Sequence, residues 1–365
     1  MSEIYDIAVI GAGMAGASLA AELAPHAKVL VVEAEDRPGY HATGRSAAFW
    51  EECYGGLEVL PLTLASGPYL REHGMLSPRG ALYIGRDADE PKIEAFLARF
   101  AGSGASIERL GRAALQARIP RVRSEWRHAI CEPACADIDV AGLHQHYLAR
   151  AARDGAALKC RAPLAAAERE GSAWRLDLGR AGEARARVLV DAAGAWADPV
   201  AQSAGVRPLG VQPLRRTVAQ LRTAPLPPAD LPLVLDISGA FYFKPEHGRL
   251  WLSPHDETPS AACDAAAEEL DVALAIDRFE NVVDWRIEAV EHKWAGLRSF
   301  APDRLPIYGF DAREPGLFWF AGQGGFGIQT APAAARLGAQ LLLGLGRDAM
   351  TEALDPALYA PARFG

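Results

Sequence analysis

Two glycine-punctuated stretches carry the residue types and spacings with which this chain could do chemistry. The first is Gly11-Ala-Gly13-Met-Ala-Gly16, which leaves the apolar run 6–10 and enters a small-residue run to Leu23; a second apolar run, 29–32, closes on Glu33. Gly11 permits a tight turn, Gly13 lets backbone approach a pyrophosphate, and Gly16 lets a helix lie close on a sheet. Met14 and Ala15 open that helix, whose free N–H groups and positive dipole end face the phosphates. Glu33, with Ala34 beyond it, stands where an acid accepts hydrogen bonds from the adenosine ribose hydroxyls and disfavours a phosphorylated ribose. The second stretch is Gly322-Gln-Gly324-Gly325-Phe-Gly327-Ile328-Gln329-Thr330, after the strand-like run 316–320 and before a helix expected over 331–343. Such a loop offers N–H groups to an anion or an electron-rich ring edge, and a helix N-terminus there stabilises negative charge that accumulates on such a ring when it is reduced. A third set, Thr43-Gly44-Arg45-Ser46, places two hydroxyls and a forked, always-charged donor in a polar loop suited to a pyrophosphate.

The elements that must position these residues are legible as strands and helices. The run 5–33 reads as one βαβ unit, which binds a dinucleotide. The segment 36–56 reads as a loop followed by a short small-residue helix, and further helices are expected over 91–100 and from an N-cap at Asp139 to Asp154-Gly155. His144 and His146 lie two apart on that last helix and so do not share a face, which argues against a metal site. Strand patterns over 164–168, 173–178 and 185–190 lead into Asp191-Ala-Ala193-Gly194-Ala-Trp196, a strand and small-residue turn that returns the chain to the first nucleotide fold. There is no second GxGxxG and hence no sign of a nicotinamide site, so the dinucleotide itself carries redox chemistry, which points to FAD. Between 208 and 300 the chain reads mostly as β-structure, an antiparallel sheet inserted to cover the cofactor and form the substrate pocket.

Composition bounds the function. With 365 residues, half of them hydrophobic, and a net charge of −8, the chain has ample core and no electrostatic footprint for nucleic acid or an anionic membrane. No run approaches the roughly 18 apolar residues of a membrane span, and an N-terminus carrying Glu3 and Asp6 reads as a first strand, not a signal peptide. A cytoplasmic protein is expected. The cysteines, 53, 131, 135, 160 and 263, form no disulfide framework or zinc pattern and read as reduced thiols.

Residues spread over nearly the whole chain resemble a known family. Pro38 to Ala48, Asp137-Ile-Asp139, Leu143-His-Gln145, Asp191 to Trp196, Gly205 to Gly210, Arg215-Arg216, Phe241-Tyr242, Trp294 to Phe300 and Gln323 to Thr330 are similar to the D-amino-acid oxidase superfamily of FAD-dependent oxidoreductases, nearest to the bacterial D-arginine dehydrogenases. The resemblance implies an α/β fold: a Rossmann-like FAD-binding domain (1–80, 137–215, 300–365) with an inserted antiparallel-sheet substrate domain (81–136, 216–299), of the glycine oxidase type. It implies that Arg216, or Arg215 beside it, and Arg298 clamp the substrate carboxylate, that Tyr242 hydrogen-bonds the substrate, and that Gly325 and Gln329 lie near the flavin. The reaction implied is hydride transfer from a neutral α-amine to non-covalent FAD, giving an imino acid that hydrolyses to a 2-oxo acid and ammonia. Three positions depart from the D-arginine dehydrogenase pattern. Ala81 replaces the acid that receives a substrate guanidinium, Phe49 replaces a lid histidine, and Glu51 replaces a threonine, while Tyr54 matches the lid tyrosine. These departures favour a neutral or apolar D-amino acid, with Glu51 read as an exposed lid carboxylate. Oxidation of an N-methyl or secondary amino acid or a 2-hydroxy acid uses the same clamp, and a non-catalytic flavoprotein subunit of a larger complex is a further alternative. The electron acceptor is left unassigned.

Overall fold

Strand Ile4–Ile10 ends in four buried residues and so sits inside a sheet, not at its edge. The structure, a computed structural model describing residues 4–365, pairs it in parallel with Val29–Val32 on one side and Glu183–Asp191 on the other. Residues 1–3, part of the expected first segment, lie outside the described residues. Ala157–Lys159 extends the parallel sheet past Val29–Val32, and Leu317–Ala321 pairs in parallel with the end of Glu183–Asp191. A continuous apolar strand buried on both faces is the signature of such a sheet. Helix Met14–Leu23, rich in alanine and glycine, is buried nearly all round, packed against helices Val140–Arg153 and Ala331–Leu343.

A second sheet, ten-stranded among the described residues, is mostly antiparallel. Its long pair, Gln212–Ala224 and Arg286–Phe300, sets Arg216 opposite Gly296 and Leu214 opposite Arg298. Side chains alternate along a strand, so Arg216 and Arg298 fall on one face as diagonal neighbours and Arg215 falls on the other. Tyr242 lies opposite both Ser253 and Leu235, and Leu233 lies beside Ala81, which carries the same face on toward the buried cluster of Ala47, Ala81, Tyr83, Leu235 and Tyr242.

The helices expected over 91–100, after Asp139 and over 331–343 are present as Glu90–Phe100, Val140–Arg153 and Ala331–Leu343. Segment 36–56 differs from expectation. In place of a short helix it forms a single 3-10 turn, Thr43–Arg45, and a short strand, Phe49–Trp50, paired with Asp137 and Ala136. The buried Trp50 indole donates to the Thr63 carbonyl, a tertiary contact that overrides the local preference of small residues. Helix Leu60–Glu72, with prolines at its first turn and within it, shows no clear periodicity in the sequence.

The Asp139 side chain accepts a hydrogen bond from the Gly142 N–H at 2.8 Å, so Asp139→Ala is expected to cost about 1 kcal/mol, read as a lower urea midpoint with an unchanged m-value.

Candidate functional site

A cavity of about 460 Å³ runs from the first βαβ turn, between the two sheets, to the glycine loop at 324–329. At its nucleotide end the cradle is built from backbone. Gly11 has a left-handed φ of +101°, and a Cβ there would come within 2.6 Å of the Ala192 carbonyl. A Cβ on Gly16 would overlap the Gly11 carbonyl, so this glycine, which does not reach the cavity, serves helix-to-strand packing as expected. The Glu33 carboxylate accepts from the Ala12 N–H at 2.9 Å and the Glu35 N–H at 3.0 Å, which aims it at the cavity while leaving lone pairs for hydroxyl donors. The Thr43 hydroxyl accepts from the Met14 N–H at 2.9 Å. Ala15, Ala34, Ser46, Ala193, Gly194 and Trp196 line the same end, with Trp196 against the His41 ring at 4.5 Å. An acid at the second strand, N–H groups at a helix N-terminus and a cradle with no room for side chains fit a dinucleotide.

His144 is a contributor that sequence reasoning did not assign. Its Nε2 donates to the Ala12 carbonyl at 2.9 Å, and burial lowers its pKa, so a neutral imidazole props the turn from behind. Arg45 also differs from expectation. It lines the cavity, but its guanidinium is held by the Asp264 carboxylate and by the carbonyls of Ala265 (2.8 Å) and Ala295 (3.2 Å). It therefore ties the cofactor loop to the second sheet. Gly44 lies off the cavity, where a Cβ would come within 2.7 Å of the Gly39 carbonyl.

At the far end Arg216, Arg298, Tyr242, Tyr54 and Gly325 converge on the cavity. The face alternation described above decides between the adjacent arginines: Arg216 lines the cavity, whereas Arg215 pairs with Glu268 and Asp271 on the opposite face. Burial lowers the pKa of Arg216, opposed by the neighbouring Tyr242 hydroxyl and the Asp256 and Glu257 carboxylates. Burial, and then the charge of Arg304, bring Arg298 down to about 9, so both remain cationic at neutral pH. A Cβ on Gly325 would fall inside the Arg298 guanidinium and against the Tyr54 hydroxyl, so only glycine admits this convergence. Gly324, Gly327 and Ile328 line the cavity beside it, and Gln323–Gly324 pairs with Ser299 and Phe300, which docks the loop on the arginine strand.

Gln329 reaches the cavity, but its amide is committed elsewhere. It accepts from the Glu51 N–H at 3.2 Å and donates to the Glu51 carbonyl at 3.1 Å and the Thr63 hydroxyl at 2.8 Å, and so pins the segment that carries Tyr54. Thr330 does not reach the cavity; its hydroxyl donates to the Phe326 carbonyl at 2.9 Å at the start of the helix. Sequence reasoning also missed His255, which lines the cavity beside Tyr242 in a left-handed conformation, φ +57°. Its Nδ1 donates to the Gly239 carbonyl at 2.9 Å, and burial with the Arg216 charge lowers its pKa to about 3, which keeps it neutral with Nε2 as an acceptor. A lone His among polar residues gives no local signal.

The largest correction concerns Glu51. It is not an exposed lid residue but fully buried, and neither carboxylate oxygen has a hydrogen-bond partner. Burial and then the charge of Glu132 raise its pKa well above the usual carboxylate value, so the side chain is a neutral acid. Glu132, which accepts from the Glu52 N–H at 2.6 Å, is pushed up to about 7, mainly by burial.

A parallel nucleotide-binding sheet facing an antiparallel sheet across a shared cavity defines a dinucleotide-dependent oxidoreductase. The chain belongs to the FAD dependent oxidoreductase family, DAO, whose profile matches residues 6–341, and its cofactor is FAD. It is 32% identical over 188 residues to glycine oxidase of Pseudomonas aeruginosa, covering 50% of this chain and 47% of that protein. It is 25% identical over 417 residues to hydrogen cyanide synthase subunit HcnC of the same species, covering 100% of this chain and 97% of that one. The chain spans between a third and a half of the length of most of the curated relatives it matches. In fold it is similar to glycine oxidase from Geobacillus kaustophilus, with a TM-score of 0.85 at 23% identity over 99% of both chains. Among the described residues no helix is long and apolar enough to cross a membrane.

The two buried acids make stability depend on pH. Both folded-state values are raised, so the contribution is fully present below the unfolded carboxyl pKa and is lost as pH rises, for Glu132 through about 7. Glu51→Gln removes the cost of keeping that buried group protonated, on the order of 1 kcal/mol per pKa unit, so it should raise Tm more at pH 8 than at pH 5.5; an equal shift at both would contradict the buried-acid assignment.

Proposed function

We propose that this chain oxidises a D-amino acid with a neutral or apolar side chain to an imino acid, which water converts to a 2-oxo acid and ammonia. The observation that carries this reading is the order of groups along one face of the second sheet. Arg298 and Arg216 stand at one end, Tyr242 follows, and Leu235 with Phe49 and Ala47 stands at the other. Two converging guanidiniums suit a carboxylate, which each can grip through paired N–H donors. A substrate anchored there directs its side chain toward Leu235 and Phe49, where Ala81 is fully buried and supplies no charge. The D configuration follows from the resemblance to the D-arginine dehydrogenases.

FAD, when bound, supplies a two-electron acceptor for the hydrogen on Cα. The chain's own residues bind and orient. Arg216 and Arg298 fix the carboxylate, which restrains Cα against the glycine-loop wall. The Tyr242 hydroxyl, kept protonated by burial, is available to the substrate's polar atoms. His255 is neutral and offers Nε2 as a hydrogen-bond acceptor for the substrate's amine; with its pKa lowered to about 3 it orients the amine and does not take up its proton. Phe49 and Tyr54, with ring centroids 6.0 Å apart, shield the apolar end from water. The free cysteines support a working place in the cytoplasm, and we take FAD to be held non-covalently.

Anaerobic mixing of the holoprotein with D-amino acids, sarcosine and 2-hydroxy acids tests the substrate class. Neutral and apolar D-amino acids should bleach the flavin absorbance; bleaching by sarcosine or a hydroxy acid alone would replace this reading with that one. Arg298→Met should lower the reduction rate by at least about a hundredfold, the scale of losing a charge-assisted contact of roughly 3 kcal/mol, with FAD retained. Unchanged reduction would refute the clamp.

A further inference from the structure

A carboxylate of the chain itself stands beside the two arginines. Glu257 Oε1 lies 3.5 Å from Arg216 Nη2 and 3.5 Å from Arg298 Nη1, so one oxygen faces both guanidiniums. Neither contact is close. The same carboxylate lies 2.9 Å from Arg304 Nη2 through each of its oxygens, and these are its short bonds. Arg304 is itself held in position, with a left-handed φ of +68° and its guanidinium over the Phe300 ring at 4.0 Å. The backbone that carries Glu257 is also fixed. The Asp256 carbonyl accepts from Arg216 Nε at 2.7 Å, the Asp256 carboxylate accepts from the Thr217 N–H at 2.7 Å, and Thr258–Pro259 pairs with Leu214 and Arg215. Glu257 is exposed at the rim, so its side chain can move where its backbone cannot.

Resting on the carboxylate clamp proposed above, we propose that Glu257 is a built-in rival for that clamp, held off it by Arg304. A substrate carboxylate takes the N–H donors of Arg216 and Arg298 that Glu257 faces only at 3.5 Å, and Glu257 stays on Arg304. The arrangement weakens the clamp for any single carboxylate and so favours release of a 2-oxo acid. It also puts a negative charge where a second substrate carboxylate would approach, which selects monocarboxylates over dicarboxylates.

The test uses the FAD-loaded protein and propanoate, a monocarboxylate with no amine to oxidise, titrated by the perturbation of flavin absorbance. Glu257→Gln keeps the shape and removes the charge, and should bind propanoate at least fivefold tighter; Glu257→Ala should tighten it in the same direction. Arg304→Gln frees Glu257 onto the clamp and should weaken binding severalfold, an effect that should disappear in the Glu257→Gln background. Unchanged or weaker binding in both Glu257 variants, with binding still lost in Arg298→Met, would overturn the rival role alone. Retention of propanoate binding in Arg298→Met would overturn the clamp and this role with it.

Discussion

Two guanidiniums on one buried face of a sheet repel each other and forfeit hydration, and much of the second sheet is organised around that cost. The register that sets Arg216 opposite Gly296 and Leu214 opposite Arg298 makes the two charges diagonal neighbours, near enough to share one anion. Their compensation comes from a single short segment. Asp256 holds Arg216 through its carbonyl, Glu257 faces both arginines, and a left-handed His255 turns the chain into place. The glycine loop, docked on the arginine strand through Gln323–Gly324, completes the arrangement, because a side chain at Gly325 would occupy the space of the Arg298 guanidinium.

What is legible from sequence follows the range of the forces involved. The nucleotide turn is local, since strand, glycines, helix and acid lie within one βαβ unit, and Gly11, Gly13 and Glu33 stand where the motif requires. Arg216 and Arg298 are found through resemblance, and the choice between Arg215 and Arg216 becomes decidable only once strand register is known, because alternation has no sign until a partner is fixed. Residue type makes Arg45, and resemblance makes Gln329, look like ligand contacts. Their donors are instead spent within the protein, on Asp264 and on the backbone of Glu51, and residue type does not reveal that a donor is already engaged.

Glu51 shows the same thing most clearly. A glutamate two residues from Phe49 in a polar stretch reads as exposed, because burying an unpartnered carboxylate is costly. The strand Phe49–Trp50 pairs with Ala136 and Asp137, and Gln329 pins the Glu51 backbone from a third direction. The side chain is therefore buried by contacts distant in sequence, and it answers by keeping its proton. Its titrating neighbour, Glu132, is drawn into the same response.

The engagement of Arg45 has a consequence for how the protein is assembled. One guanidinium, carried by the loop that follows the nucleotide turn, reaches the irregular segment at Asp264–Ala265 and the second sheet at Ala295. The Trp294 indole returns a bond to the Arg45 carbonyl at 2.9 Å. The Arg45 loop and the second sheet are thus stitched together at the wall of the cavity they share. A lesion in the second sheet that frees Arg45 therefore reaches the wall of the FAD cavity, and the protein's colour becomes a report on a sheet that need not touch the nucleotide.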